Sequence, residues 1–277
     1  ISSGKELEER LGTERYAIIP RVKLTKKPIQ ELFSHPFGTF AESLRMLRSE
    51  ISKSAKREEA GSDALTASSM NWNADNQIRT STVVCVTSSV PTEGKSTTAL
   101  GLAVVSAMSG LRVCLADFDF RRPSLNDYTG LEANPELAAY FQGQSDGFSI
   151  QSLDFDFGAG DLDIITGAPG GRINADQAIS SGQLKVLIDD LRRDYDYVVV
   201  DTAPVLAVAE TQFIAQFSDQ LIYCVRENYA SRAVIDQSFE KMKSAVGDRN
   251  ALTIALTLST SGKNRYYYAY KSYAEST

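Results

Sequence analysis

Between residues 82 and 258, short runs of β-branched and other apolar residues alternate with longer stretches of helical character. The runs predict strands at residues 82–87, 112–116, 162–166, 197–200, 221–225 and 252–258, and the stretches predict helices at residues 95–108, 182–193 and 230–246. Strands that are apolar at nearly every position are buried on both faces. We therefore predict an α/β fold, in which helices cover both faces of a parallel sheet.

The first 81 residues follow a different pattern. Residues 37–54 predict an amphipathic helix, because four apolar residues form a single stripe along it. The stripe consists of Phe40, Leu44, Leu47 and Ile51. Residues 1–36 predict an irregular arm, with a short charged helix at 5–10 and a brief apolar run at 17–20. Residues 53–81 are polar and predict a loop.

These patterns divide the chain into an N-terminal arm (1–36), a domain (37–260) and a C-terminal tail (261–277). The 277 residues, 43% of them hydrophobic, are enough for one large domain with an extension. The net charge of −6 argues against a nucleic-acid-binding face. Cys85, Cys114 and Cys224 each fall within an apolar run, which favours buried free thiols. The longest helix-like apolar stretch is too short to span a bilayer.

A phosphate-binding loop follows the first strand of the domain. Residues 89–96 read SVPTEGKS and differ from the usual GxxxxGK[ST] pattern only at Ser89, which replaces the first glycine. An apolar strand precedes the loop and a helix follows it, so free backbone N–H groups and the helix dipole would favour an anion there. Gly94 would allow close approach to phosphate, Lys95 would reach the β- and γ-phosphates, and the Ser96 hydroxyl would ligate Mg²⁺. The predicted nucleotide-contacting residues are Pro91, Thr92, Glu93, Gly94, Lys95, Ser96 and Thr97.

Three aspartates follow strands that should end at the same edge of the sheet. Asp117 and Asp119 come at the end of the second strand of the domain, and Asp201 ends the strand at 197–200. Ligands of open α/β sheets bind at the carboxyl ends of the strands. Asp201 fits a Walker B role in holding Mg²⁺, and the other two could approach the γ-phosphate and the metal.

The C-terminal tail carries five tyrosines within eight residues, separated by polar spacers. They are Tyr266, Tyr267, Tyr268, Tyr270 and Tyr273. The composition predicts a flexible, disordered tail. A nucleotide site and a cluster of phenolic hydroxyls on one chain suggest a kinase that phosphorylates further copies of itself.

Together these motifs resemble the bacterial tyrosine kinases (BY-kinases), the cytoplasmic catalytic modules of capsule and exopolysaccharide copolymerases. The resemblance covers roughly residues 35–273 and includes the FRRP sequence at residues 120–123 after the aspartate pair. Glu42, Arg45 and Arg48 have the form of the family's ExxRxxR motif, which mediates subunit contact in ring-shaped oligomers. The resemblance implies a P-loop NTPase-like fold with an N-terminal helical extension.

The resemblance also implies an ATP-dependent protein-tyrosine autokinase that uses Mg²⁺. Lys95 and Ser96 would hold the nucleotide and the metal, Asp119 and Asp201 would support the metal, and Asp117 would accept the tyrosine proton. The tail tyrosines would be phosphorylated by a neighbouring subunit of a ring, expected to be an octamer.

The expected partners follow from the same resemblance. They are further copies of the chain, a membrane activator domain that is either fused upstream or separate, an opposing tyrosine phosphatase and the polysaccharide export machinery, with no nucleic acid. The chain itself is expected to be soluble and to act at the cytoplasmic face of the bacterial inner membrane, where it would control polysaccharide polymerisation and export. Residues 167–176 lack the Pro-Pro-Asn-Pro run usual in the family.

Two alternatives stay open at this point. One is a deviant-Walker ATPase of the partition or division-site type, which phosphorylates no protein. Such proteins carry a second lysine five residues before the Walker lysine, where this chain has Val90, and they lack a tyrosine tail. The other is a catalytically weak scaffold that regulates chain length, against which the intact Lys95, Asp117 and Asp201 argue.

Overall fold

The computed structural model describes residues 1–13, 15–22, 28–61, 70–72, 78–154, 160–168, 173–247 and 251–260. The five tyrosines of the tail lie outside the described residues, as does part of the predicted departure from the family at 167–176.

Helices and strands alternate through most of the described chain. The helices are α1 Gly4–Leu11, α2 Pro28–Ser34, α3 Thr39–Gly61, α4 Lys95–Ala107, α5 Leu125–Thr129, α6 Pro135–Phe141, α7 Ala175–Ser180, α8 Gln183–Asp194, α9 Glu210–Ala215 and α10 Arg232–Val246. The strands are β1 Tyr16–Pro20, β2 Met70–Trp72, β3 Ile78–Thr80, β4 Thr82–Ser88, β5 Val113–Phe118, β6 Gln151–Ser152, β7 Leu162–Ile165, β8 Tyr197–Thr202, β9 Gln220–Arg226 and β10 Ala251–Ser259.

Eight strands form one sheet in the order β1-β10-β9-β4-β8-β5-β7-β6. All neighbouring pairs in this sheet are parallel except β6 with β7. Successive residues of a strand point to opposite faces, so Val84 packs into one core and Val83 into another. Helices α3 and α4 cover the first face, and α8 and α10 cover the second. The predicted α/β fold is confirmed, and the sheet is parallel as predicted except for the edge pair β6 and β7.

Helices α3 and α4 pack closely on the same face. All four apolar residues of the predicted α3 stripe are buried, as expected for a helix that docks with one face. A Cβ atom at Gly101 of α4 would lie 2.5 Å from Leu44 Cδ1 of α3, so a larger residue there would require the Leu44 side chain to move. The N-terminal helical extension therefore belongs to the core of the domain.

Two predictions for the N-terminal third are wrong in part. The run at 17–20 is not part of an irregular arm, because Tyr16–Pro20 forms the edge strand β1, parallel to β10. A run this short that ends in Pro gives no strand pattern, and its partner lies at the far end of the chain. The predicted loop at 53–81 contains the end of α3 and the antiparallel pair β2 and β3. Residues 53–61 are mostly polar and continue no apolar stripe, so the sequence pattern did not predict that the helix extends through them.

Strand register brings the predicted chemistry to one edge of the sheet. Asp117 on β5 lies directly opposite Asp201 on β8, and Asp201 lies opposite Val86 on β4. Strand β4 leads into the phosphate-loop sequence, and α4 begins at Lys95. The loop and the three aspartates therefore meet at the carboxyl ends of three adjacent strands.

Candidate functional site

The phosphate loop runs from the end of β4 to the first turn of α4. Gly94 caps α4 with a φ of 83°, a left-handed conformation in which a side chain would be strained. A Cβ atom there would also lie 3.3 Å from Thr257 of β10. Thr92 has a φ of 67° and holds this conformation through a hydrogen bond of 3.0 Å from its hydroxyl to the Tyr229 hydroxyl. The loop thus presents the N-terminus of α4 toward the edge of the sheet.

The side chain of Glu93 faces the protein interior. Its carboxylate accepts hydrogen bonds from the backbone N–H groups of Val90 at 2.9 Å and Arg226 at 3.4 Å, while its backbone carbonyl accepts one from the Thr257 hydroxyl. Burial raises the pKa of Glu93 to about 7. The Glu93 side chain therefore stabilises the loop from the protein interior, and a nucleotide could contact only the Glu93 backbone.

Lys95 lies at the centre of the site. Its Nζ atom is 3.0 Å from Asp119 Oδ2, 3.5 Å from Asp201 Oδ1 and 3.1 Å from Ser96 Oγ. Burial alone would lower the pKa of Lys95, but the neighbouring carboxylates of Asp201 and Asp119 outweigh burial and raise it. The ammonium group is therefore charged and compensates the acidic cluster.

Asp201 is fully buried, and neither of its carboxylate oxygens has a hydrogen-bond partner among the described residues. Burial raises its pKa, although the positive charge of Lys95 opposes this effect. A buried carboxylate without hydrogen bonds is costly unless a cation compensates it. Lys95 supplies that cation at 3.5 Å, and when a nucleotide takes up the ammonium charge, Asp201 and the Ser96 hydroxyl would suit a hard divalent cation such as Mg²⁺.

Asp117 is placed differently from the other two aspartates. One of its oxygens accepts backbone hydrogen bonds from Ser124 at 2.8 Å and Leu125 at 3.0 Å, and the other accepts one from the N–H of Asp119 at 3.2 Å. Burial, followed by the charge of Asp201, raises its pKa. Asp117 is fully buried and orders the start of α5 behind the site.

A cleft of about 230 Å³ opens in front of these groups. From the sequence-predicted set, its lining includes Pro91, Thr92, Gly94, Lys95, Ser96, Thr97 and Asp119. Glu93, Asp117 and Asp201 are not among the lining residues. The structure thus brings the predicted loop residues and the three aspartates together, but leaves the side chains of Glu93, Asp117 and Asp201 behind the surface.

Several further residues line the cleft, and the sequence patterns indicated no role for them. They are Arg121, Arg122, Ser124, Tyr128, Ala203, Pro204, Ala207 and Val208. Arg121 donates a hydrogen bond of 3.0 Å to Glu210 at the start of α9, and Ser124 Oγ donates one of 3.1 Å to Ser96 Oγ. The FRRP sequence directly after the aspartate pair was the one available signal for the two arginines. The cleft therefore combines a basic rim with an apolar wall.

The predicted oligomerisation residues lie on α3, away from the cleft lining. Glu42 and Arg45 form an ion pair, and Arg45 also donates a hydrogen bond of 2.6 Å to the carbonyl of Pro36. The guanidinium of Arg45 lies 5.5 Å from the ring centroid of Phe37, whose exposed fraction is 82%. Arg48 follows one helical turn later and is half-buried. The motif is thus partly satisfied within one chain, next to an exposed aromatic ring.

The parallel sheet, the loop at the start of α4 and the aspartates at the strand ends define a P-loop NTPase. Residues 82–239, more than half of the chain, match the family model described as ATPase MipZ. The chain belongs to this family.

Its curated relatives carry kinase and transport names. The tyrosine-protein kinase YwqD of Bacillus subtilis (strain 168) is 36% identical over 136 residues, which are 49% of this chain and 56% of YwqD. The tyrosine-protein kinase ptk of Acinetobacter johnsonii is 30% identical over 49% of this chain and 18% of its own length. The succinoglycan biosynthesis transport protein ExoP of Rhizobium meliloti (strain 1021) is 29% identical over 52% of this chain and 18% of ExoP. The matches thus cover about half of YwqD and less of the other two.

Among solved structures, the kinase domain of the Escherichia coli tyrosine kinase ETK has a TM-score of 0.71 and 22% sequence identity, covering 94% of this chain and 95% of that chain. At this identity the likeness shows a shared fold. With the relatives above, it confirms the predicted resemblance to the bacterial tyrosine kinases and the predicted P-loop NTPase-like fold. Among the described residues, no helix is both long and apolar enough to cross a membrane.

Proposed function

We propose that this domain is an ATP-dependent protein-tyrosine kinase that transfers the γ-phosphoryl group of ATP to tyrosines in the tail of a neighbouring copy. The observation that carries the proposal is the contact of Lys95 Nζ with Asp119 at 3.0 Å, within a cleft at the N-terminus of α4. Phosphoryl transfer depends mainly on positioning and on charge compensation for the phosphates. The names of two relatives, both tyrosine-protein kinases, support the same reaction.

Each residue of the loop has a distinct part in the proposal. The backbone N–H groups of residues 92–97 and the α4 dipole would bind the phosphates. Lys95 would exchange its contacts with Asp119 and Asp201 for the β- and γ-phosphates. Ser96 and Asp201 would hold Mg²⁺, which supplies compensation for the charge of the triphosphate when bound, and Asp119 would stay free to accept a proton.

Proton acceptance from the tyrosine needs a carboxylate on the cleft wall. An unperturbed tyrosine has a pKa of about 10, so its hydroxyl must lose a proton during transfer. Asp119 lines the cleft, whereas Asp117, expected in this role from the resemblance, faces the backbone of Ser124 and Leu125. We therefore assign proton acceptance to Asp119, with Asp117 positioning the segment that carries Ser124.

The wider setting is also part of the proposal. The exposed Phe37 beside the Glu42–Arg45 pair supports contact between copies, in a ring that the family resemblance suggests is an octamer. The name of ExoP, a succinoglycan transport protein, supports a role in exopolysaccharide polymerisation and export. A membrane activator, an opposing tyrosine phosphatase and a place at the cytoplasmic face of the inner membrane would complete this system.

A second candidate function is nucleotide hydrolysis without protein phosphorylation, as in a division-site ATPase. The match of residues 82–239 to the ATPase MipZ model favours it. Val90 stands where deviant-Walker ATPases of this type carry their second lysine, which argues against it.

A mixing experiment separates the two candidates and tests transfer between copies. The donor carries Tyr→Phe at all five tail positions, and the acceptor carries Lys95→Met with an intact tail. After incubation with ATP and Mg²⁺, we expect phosphotyrosine on the acceptor only when the donor is present. ATP hydrolysis without phosphotyrosine on either chain would favour the ATPase instead.

A further inference from the structure

Ser89 occupies the position where a usual phosphate loop has its first glycine. Among the described residues, the non-glycine positions with positive φ are Thr92, Asn228 and Leu258, so the backbone at Ser89 does not require glycine. The Ser89 side chain is completely buried and turns away from the cleft, which it does not line. The departure from the usual pattern therefore places a hydroxyl beneath the start of the loop.

That hydroxyl belongs to a network of three hydroxyls, which also reaches the backbone carbonyls of Val234 and Ile235 on α10. Ser89 Oγ lies 2.5 Å from the hydroxyl of Tyr223 on β9 and accepts a hydrogen bond of 2.9 Å from Ser238 Oγ on α10. Tyr223 and Ser238 are also hydrogen-bonded to each other. All three residues are buried, and the Tyr223 ring packs against the ring of Phe239 with centroids 5.7 Å apart.

The same serine is held from the other side by its backbone. Its carbonyl accepts a hydrogen bond of 3.3 Å from Leu206, and the carbonyl of Ser88 accepts one of 2.8 Å from Val205. Val205 and Leu206 follow β8, the strand that carries Asp201. Ser89 thus joins the start of the phosphate loop to β8 through its backbone and to β9 and α10 through its side chain.

We propose that the hydroxyl network of Ser89, Tyr223 and Ser238 positions the phosphate loop for the triphosphate, and that Tyr223 and Ser238 are positioning residues for nucleotide binding. A buried hydrogen-bonded network restricts its members to one geometry, and losing one member removes its contacts with the other two. Burial raises the pKa of Tyr223 to about 12, so its hydroxyl keeps its proton and can donate. The inference rests on the proposed function only for the identity of the ligand, ATP.

The test is the affinity of the domain for ATP with Mg²⁺, measured by displacement of a fluorescent ATP analogue. Tyr223→Phe and Ser238→Ala should each weaken ATP binding about fivefold, the equivalent of one buried hydrogen bond. The double variant should bind about as weakly as either single variant, because members of one network do not add. Ser89→Gly restores the usual glycine and should also bind about fivefold more weakly.

Tyr197→Phe is the matched control. Tyr197 lies on β8 of the same sheet, is buried, and its hydroxyl has no hydrogen-bond partner within the described chain. This variant should bind ATP within about twofold of the parent, because the buried hydroxyl that it removes makes no hydrogen bond within the described chain. Should Tyr223→Phe fail to fold by circular dichroism, Ser238→Ala and Ser89→Gly provide the same test.

The inference is overturned if the network variants have a lowered melting temperature but an unchanged affinity for ATP, because the hydroxyls would then only stabilise the fold. Equal weakening by Tyr197→Phe would overturn it as well. A parent that binds ATP but forms no phosphotyrosine would contradict the kinase proposal alone. If the network variants then bind ATP more weakly than that parent, the inference is still supported.

Discussion

Lys95 Nζ lies 3.0 Å from Asp119 Oδ2, and this buried ion pair joins the start of α4 to the segment that follows β5. Without a nucleotide, the ammonium group compensates the carboxylates that would otherwise repel each other. A triphosphate would compete for the same ammonium, and would leave Asp201 free for a cation and Asp119 free to accept a proton. Lys95 therefore links phosphate binding to metal binding and to proton acceptance.

The first prediction compares Asp119→Asn with Asp117→Asn. Asp119→Asn should lower the rate of tyrosine phosphorylation by about 10²- to 10⁴-fold, the usual effect of losing a general base. Asp117→Asn should lower the free energy of unfolding by about 1–3 kcal/mol, because an amide meets the backbone N–H groups of Ser124 and Leu125 less well. Phosphorylation rates and urea unfolding check both. If a stably folded Asp117→Asn variant loses more of the phosphorylation rate than Asp119→Asn does, Asp117 and not Asp119 is the proton acceptor.

The second prediction concerns the buried charge of Asp201. Asp201→Asn should raise the free energy of unfolding of the ligand-free protein by about 1 kcal/mol, because burial destabilises the charged carboxylate more than Lys95, at 3.5 Å, stabilises it. The same variant should lose the extra stabilisation that Mg²⁺ gives in the presence of ATP. Denaturant unfolding with ATP, in Mg²⁺ and in EDTA, measures both, with Asp189→Asn on the exposed side of α8 as control. A less stable ligand-free Asp201→Asn would contradict the account.

The third prediction follows from the pKa of Glu93, which burial raises to about 7. The folded state binds this proton more tightly than the unfolded state, so the stabilisation is present at low pH and is lost as pH rises toward 7. Relative to Glu93→Gln, the parent should lose about 2–3 kcal/mol of unfolding free energy between pH 5 and pH 8. Urea titrations at several pH values measure the difference. The control Glu240→Gln, at an exposed position of α10, should show the same pH dependence of unfolding free energy as the parent. If Glu93→Gln also shows the parent's pH dependence, the raised pKa of Glu93 is contradicted.

The fourth prediction addresses contact between copies through α3. Replacing Glu42, Arg45 and Arg48 together by alanine should shift an oligomeric parent toward monomer and slow phosphorylation between copies. Light scattering after size exclusion gives the masses. The control replaces Lys185 and Asp189, an exposed ion pair on α8, and should leave the mass unchanged. An oligomer that persists in the triple variant would exclude this surface.

The sequence predicted the inner strands and the phosphate loop because their signals are local. Continuous apolar runs mark β4, β5 and β8, and GKS at the start of a helix marks an anion site. The edge strand β1 has no such signal, since its pairing with β10 is decided by contacts across the whole chain. The hydrogen bonds of Asp117 to Ser124 and Leu125 were equally hidden, because spacing alone does not tell which carboxylate faces the cleft.

The most direct test of the central claim is the intact mass of the chain after incubation with ATP and Mg²⁺, followed by mapping of the modified residues. We predict several added phosphates on the parent, all within the tail tyrosines Tyr266, Tyr267, Tyr268, Tyr270 and Tyr273, and none on Lys95→Met incubated alone. Lys95→Met should keep the parent's circular dichroism spectrum, because it removes phosphate compensation and not apolar packing. An unmodified parent that hydrolyses ATP, or equal phosphorylation of Lys95→Met incubated alone, would contradict the assignment of this site as a tyrosine kinase.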